Sequence, residues 1–176
     1  MIRVLFVISC ILFAVHPASM AAANYNDSLK AGDEAMNSGN IELALQEFEA
    51  AIGHGVAEGE KAFARAKKAY VLAFRKKDYA AARQEIEEAA KVTGLSPVAQ
   101  LTVFQVQAEC QIRADRNFVE AAKKLEMALA LPDIDFARPY LNLSLADCYR
   151  ENGDFPKALE ACKKVLETKG ISSSAQ

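Results

Sequence analysis

Cysteine and histidine are the residues of this sequence whose chemistry can be tested most directly from their spacing. Beyond the N-terminal segment the chain has three cysteines, Cys110, Cys148 and Cys162. A thiol oxidoreductase uses a Cys-x-x-Cys pair, which cysteines this far apart do not form. A cysteine hydrolase pairs its thiol with a histidine, and the remaining candidate is His54, which lies between two glycines. The spacing therefore favours neither activity.

Other kinds of site have equally little support in the residue types. The chain has two histidines in total, too few for most zinc sites, and it has no glycine-rich phosphate-binding loop. Acidic residues are plentiful, but no pair is singled out for glycosidase chemistry. The 21 basic and 23 acidic residues leave a net charge of −2, which disfavours nucleic acid as a partner. We therefore expect no enzymatic activity, no catalytic residues, no cofactor and no metal.

The N-terminal segment has the pattern of a signal peptide. Arg3 supplies a positive charge, residues 4–15 are mostly apolar, and Pro17 ends the run before a group of small residues. We predict a signal peptide over residues 1–23 and a mature chain that starts near Asn24. The apolar run is short of the roughly 20 residues that span a bilayer, so no stable membrane span is expected. The expected location is outside the cytoplasm, in the periplasm, with extracellular or membrane-tethered locations as alternatives.

The cysteines allow further alternatives. Cys10 follows Val7-Ile8-Ser9, a pattern similar to that before a lipid-modified cysteine, but the apolar run continues beyond it. Removal of a leader would leave three cysteines. In an oxidising compartment they could form one disulfide with one free thiol. The interpretation we favour is that all three are small buried apolar residues on helix faces.

A motif recurs four times and predicts a series of helices. Asn or Asp is followed by a large apolar residue and, three residues after that, by Ala; the Asn or Asp residues are Asn40, Asp78, Asn117 and Asp154. Such a side chain can accept hydrogen bonds from the first amides of a helix, so each motif should begin one. Apolar residues continue at helical spacing on both sides. We predict an all-α fold with hairpins at about 24–53, 57–94, 97–131 and 135–170, followed by a disordered tail at 171–176.

These hairpins resemble the tetratricopeptide repeat family. The fourth is the most similar, with Leu145-Ala146, Tyr149, Gly153-Asp154, Phe155 and Ala158, and the first also matches well. The middle two are degenerate, with Tyr70 at a position where a small residue is usual and Arg116 in place of the turn glycine. The resemblance implies a right-handed α-solenoid in which the first helices of the hairpins line a concave surface that binds a peptide or a helix of a partner.

Under this resemblance, a mixture of basic and aromatic side chains lies on the partner-binding face. The candidates are Lys30, Lys67, Phe74, Arg75, Arg113, Tyr140 and Arg150. The basic side chains could donate hydrogen bonds to acidic side chains or to a C-terminal carboxylate, with the aromatic rings as anchors. The alternative is an ordinary solvated helix face. Leu29 and Asp33 do not match the family's chaperone-binding set, so that specific activity is not expected.

The last predicted helix suggests a second contact surface. Leu159 and Leu166 lie on it with no further helix after them to cover an apolar face, which suggests a homodimer. The sequence thus predicts an exported adaptor or scaffold that binds a protein or peptide partner in its groove. The alternatives are a structural or oligomerising envelope protein that acts through its terminal helices, and a thiol-redox protein.

Overall fold

The computed structural model describes the backbone of residues 17–168 and the side chains of residues 24–167. Within this range the fold is entirely helical. The helices are α1 (Pro17–Asn37), α2 (Ile41–His54), α3 (Glu58–Tyr70), α4 (Tyr79–Ala90), α5 (Pro97–Cys110), α6 (Phe118–Leu129), α7 (Arg138–Glu151) and α8 (Phe155–Thr168). The first sixteen residues of the predicted signal peptide and the predicted tail at 171–176 lie outside the described residues, and α1 continues through the predicted cleavage site after Ala23.

The four predicted helix starts are confirmed. The side chains of Asn40, Asp78 and Asn117 each accept a hydrogen bond from the backbone amide three residues later, at 3.0 to 3.3 Å. Asp154 accepts in the same way from the amide of Lys157. These contacts satisfy amides that have no partner inside the helix, so each second helix begins where the motif places it.

The turns inside the middle hairpins differ from those of the outer hairpins. Gly39 and Gly153 occupy the left-handed conformation in the first and fourth turns, and Lys77 and Arg116 occupy it in the second and third. In the middle hairpins the first helix also ends in a π-helical turn, Val71–Lys76 after α3 and Gln111–Asp115 after α5. A π-helical turn holds one more residue than an α-helical turn, so it displaces the side chains that follow it. The degenerate repeats therefore have a distinct backbone.

The hairpins stack in chain order. Each first helix packs against its own second helix, and α2 packs on α3, α4 on α5 and α6 on α7. Many of the buried residues are alanines, and larger buried side chains such as Phe48, Ile86 and Leu125 complete the core. This consecutive packing is the arrangement of an α-solenoid. None of the described helices has the length and apolarity needed to span a membrane.

Candidate functional site

A groove of about 490 Å³ crosses the first helices of the second, third and fourth hairpins. We call it the aromatic groove and define it by its lining residues: Tyr70, Phe74, Gln105, Ala108, Glu109, Ile112, Leu125, Phe136, Ala137, Tyr140, Leu141, Leu143 and Ser144. Four of these side chains are aromatic and six are aliphatic. Its size and its mainly apolar lining are those of a ligand-binding cleft.

The π-helical turns position one wall of the aromatic groove. Phe74 lies in the turn after α3, and its ring stacks on Tyr70 with 4.4 Å between the ring centroids. Ile112 lies in the corresponding turn after α5. Both π-helical turns thus supply apolar side chains to the groove, and π-helical turns are frequent at functional sites.

The loop between α6 and α7 forms the opposite wall. Ile134 is fully buried among the side chains of α5, α6 and α7 and anchors this loop in the core. Arg138 fastens it further, because its guanidinium donates to the carbonyl oxygen of Leu129 at 2.9 Å and to the carboxylate of Asp135 at 2.8 Å. Phe136 and Tyr140 project from this anchored segment with 66% and 70% of their surfaces exposed. A rigid support therefore holds two exposed aromatic rings beside the groove.

The aromatic groove has one carboxylate among its lining residues. Among the lining residues, Glu109 alone carries a formal charge at neutral pH. Its side chain is only 11% exposed. Arg113 Nε donates to Glu109 Oε1 at 3.4 Å, well beyond the roughly 2.7–2.9 Å of a strong charge-assisted hydrogen bond. Gln105 and Ser144 add neutral polar groups. The groove thus combines aromatic rings with one carboxylate that is weakly paired.

The structure brings three of the seven predicted site residues to this place. Phe74 and Tyr140 line the groove, and Arg113 lies at its edge against Glu109. Tyr140 lies on α7, and Phe74 and Arg113 lie in the π-helical turns that follow α3 and α5. The carboxylate partner of Arg113 alters its expected role, since this guanidinium already faces a negative charge within its own chain.

The other four predicted residues, all basic, lie outside the groove lining. They are Lys30, Lys67, Arg75 and Arg150. Lys67 donates to both carboxylate oxygens of Asp33 at 2.9 and 3.1 Å, which ties α3 to α1. Lys30 lies 3.8 Å from Glu34, and Arg150 contacts Asp147 and Glu151. Arg75 is exposed in the π-helical turn. The basic residues therefore do not converge on one anion-binding site.

Sequence reasoning missed several groove residues, among them Tyr70, Glu109, Phe136 and Leu143. The sequence shows Tyr70 as an exception to the family pattern, but it does not show that this ring lines a groove. Phe136 lies in the loop just before α7. Its distance of four residues from Tyr140 is the signal that could have found it, because residues with this spacing lie on one face when the helix continues.

The thiols lie in two different environments. Cys110 and Cys148 are buried, whereas Cys162 is exposed on α8, so the prediction of three buried cysteines is wrong for Cys162. Burial raises the pKa of the Cys148 thiol to about 11 and also raises that of Cys110. All three thiols are free in the described part of the chain. A buried thiol with a raised pKa is a poor nucleophile, because the thiolate is the reactive form.

Comparison with known families agrees with this architecture. The sequence pattern described as Tetratricopeptide repeat matches residues 29–98 and 113–174, which together make up more than half of the chain. The chain belongs to the tetratricopeptide repeat family. Repeats of this family generally mediate protein–protein interactions, and the aromatic groove lies on the first helices, the face that commonly holds the partner. A search of the curated proteins finds no match.

Proposed function

We propose that this protein is an exported adaptor that binds a segment of another protein in the aromatic groove. The observation that carries the proposal is the exposure of Phe136, Tyr140 and Leu143 next to a preformed cleft. Large apolar side chains grouped around a cleft are typical of interaction sites. Export is supported by the sequence of residues 1–23. Protein recovered from the cell envelope should begin near Asn24, and an intact N-terminus starting at Met1 would contradict export.

The groove suits a peptide better than a flat protein surface. Its lining includes the buried side chains of Ala108, Leu125 and Leu141, and the volume of about 490 Å³ leaves room for inserted groups. Stacked Tyr70 and Phe74 on one side and Tyr140 on the other can hold an apolar side chain between them. Aromatic anchors of this kind supply most of the binding energy in typical interfaces.

Selection from a displayed random-peptide library tests this proposal. We expect peptides enriched on the wild-type protein to lose about tenfold or more in affinity for Tyr140→Ala, the typical loss of roughly 1.4 kcal/mol or more for an aromatic anchor. Phe155→Ala is the matched control, because Phe155 is an equally exposed aromatic ring on α8 outside the groove. Affinities measured by fluorescence anisotropy should be unchanged for this control. If the peptides bind both variants as tightly as they bind the wild-type protein, they do not bind in the aromatic groove.

A second candidate function is self-association through α8. Phe155, Leu159 and Leu166 are exposed on this helix, whereas Ile41, Leu45 and Ile52, which occupy the corresponding positions in α2, are partly or fully buried. The outer face of α2 is covered by the next hairpin, and no described hairpin follows α8. A second copy of the chain, packed α8 against α8, would cover the exposed leucines.

Light scattering distinguishes this candidate from the first. The wild-type protein should be a dimer at micromolar concentration, and Leu159→Glu should dissociate it because a carboxylate placed in an apolar interface loses its hydration. Lys163→Glu, an exposed change on the same helix, serves as the control for altered charge. A monomeric wild-type protein would exclude the dimer.

A further inference from the structure

The charge inside the aromatic groove indicates which chemical group enters it. Glu109 brings a carboxylate into a cleft whose other lining residues are aromatic, aliphatic or neutral polar. Of the basic residues that could have made an anion site, Lys67 is paired with Asp33 and Arg150 with Asp147 and Glu151, and Arg75 lies outside the groove lining. An acidic ligand would therefore meet a like charge in the lining of the groove.

We propose that the aromatic groove recognises a Lys or Arg side chain of the bound segment, with Glu109 as its counter-ion. This assignment deepens the proposed function and rests on it. The stacked pair Tyr70 and Phe74 and the exposed ring of Tyr140 supply the faces over which a cation is favourably placed. The same rings cover the methylene stem of the side chain, so the site matches both parts of a long cationic residue.

In the absence of a partner, Arg113 of the same chain is the residue that pairs with the Glu109 carboxylate. Its Nε lies 3.4 Å from Glu109 Oε1, and more than half of its side chain is exposed. In the described part of the chain Glu109 has no other hydrogen-bond donor. A guanidinium or ammonium group from a partner can therefore replace Arg113 at the carboxylate with better geometry, and Arg113 can return to solvent.

Titration with two small probes tests the assignment. N-acetyl-arginine methylamide carries the cation, and N-acetyl-citrulline methylamide has nearly the same shape without the charge. We expect saturable NMR shifts of backbone amides in α5 and α7 with the arginine probe, and about tenfold weaker binding of the citrulline probe, which corresponds to roughly 1.4 kcal/mol for a charge-assisted contact.

Two variants should change the affinity in opposite directions. Glu109→Gln keeps the shape of the side chain and should reduce the tenfold preference for the arginine probe to near unity. Arg113→Gln removes the internal competitor and should strengthen binding of the arginine probe. Glu120→Gln removes one negative charge from α6, where Glu120 pairs with Lys123 outside the groove lining, and should leave the preference unchanged.

Several outcomes would overturn the assignment. Equal binding of the two probes, no shift with either, or an unchanged preference in Glu109→Gln would each do so. If Arg113→Gln binds the arginine probe more weakly, and the wild-type protein prefers an N-acetyl-glutamate probe, the groove binds an acidic side chain instead. If Glu109→Gln dissociates a dimer of this chain, the occupant is a second copy. Library peptides could lose affinity for Tyr140→Ala and yet show no enrichment in Lys or Arg. That result would leave the proposed function intact and contradict only the assignment of a cationic side chain to the groove.

Discussion

Phe48→Ala is expected to lower the free energy of unfolding by about 3–5 kcal/mol. Phe48 lies in the first hairpin with no exposed surface, packed with Ala35, Ala44 and Val71. Its removal leaves a cavity that small neighbours such as the two alanines cannot fill. Urea unfolding followed by circular dichroism measures the loss.

Gly32 tests the same contact from the opposite side. A Cβ atom added at Gly32 would lie 2.6 Å from Cε1 of the Phe48 ring, which is too close for any real contact. The fully buried ring has little freedom to move, so Gly32→Ala should destabilise the protein by about 1–3 kcal/mol through overpacking. This cost outweighs the gain of up to about 1 kcal/mol that alanine brings to a helix interior.

Gly53→Ala is the matched control for Gly32→Ala. Gly53 also lies in a helix, α2, but nothing lies within 4 Å of the position its Cβ would take. We expect this variant to be as stable as the wild type or more stable by up to about 1 kcal/mol. In a Phe48→Leu background the cost of Gly32→Ala should shrink, since the smaller side chain leaves space. Equal effects of the two glycine substitutions would contradict the proposed contact.

Ile134→Ala is expected to cost about 2–5 kcal/mol and to weaken peptide binding as well. Ile134 is completely buried beneath the loop between α6 and α7, and the exposed ring of Phe136 lies two residues further on. A loop that loses its anchor no longer holds this ring in a single position beside the groove. The measurements are urea unfolding and the affinity of a library-selected peptide, under conditions where the variant remains folded.

Val119→Ala separates this effect from the general loss of an apolar side chain. Val119 is exposed on α6, so its truncation should change stability by less than about 0.5 kcal/mol and leave peptide affinity unchanged. Ile134→Ala with wild-type affinity would show that the loop does not depend on this anchor for its shape. If Ile134→Ala is as stable as the wild-type protein, the core beneath the loop is not tightly packed.

The cysteines illustrate how far residue types alone can lead. Their spacing disfavoured a thiol oxidoreductase, and this inference needs nothing beyond the sequence. The exposure of Cys162 could not be predicted in the same way, because it depends on whether another hairpin covers α8. The position occupied by Phe48 in α2 is occupied by Cys162 in α8, and Phe48 is buried between α1 of its own hairpin and Val71 of the next hairpin.

The sequence by itself determined the helical hairpins and the family, because caps and helical periodicity are local signals. Asn40, Asp78 and Asn117 each act on an amide three residues away, so their effect does not depend on the rest of the fold. The left-handed conformation of Lys77 and Arg116 and the π-helical turns before them were decided by tertiary packing, since neither residue favours that conformation on its own.

The charge of the groove was likewise decided by the tertiary structure. The sequence predicted a basic face from the positions of Lys67, Arg113 and Arg150. Arg113 and Arg150 pair with carboxylates within four residues of them, whereas the pairing of Lys67 depends on a contact between residues far apart in the chain. Lys67 and Asp33 are 34 residues apart and meet only when the first two hairpins stack. Stacking of the later hairpins encloses Glu109 between aromatic walls. A local pattern contains no information about which charges such packing neutralises and which it leaves facing a ligand.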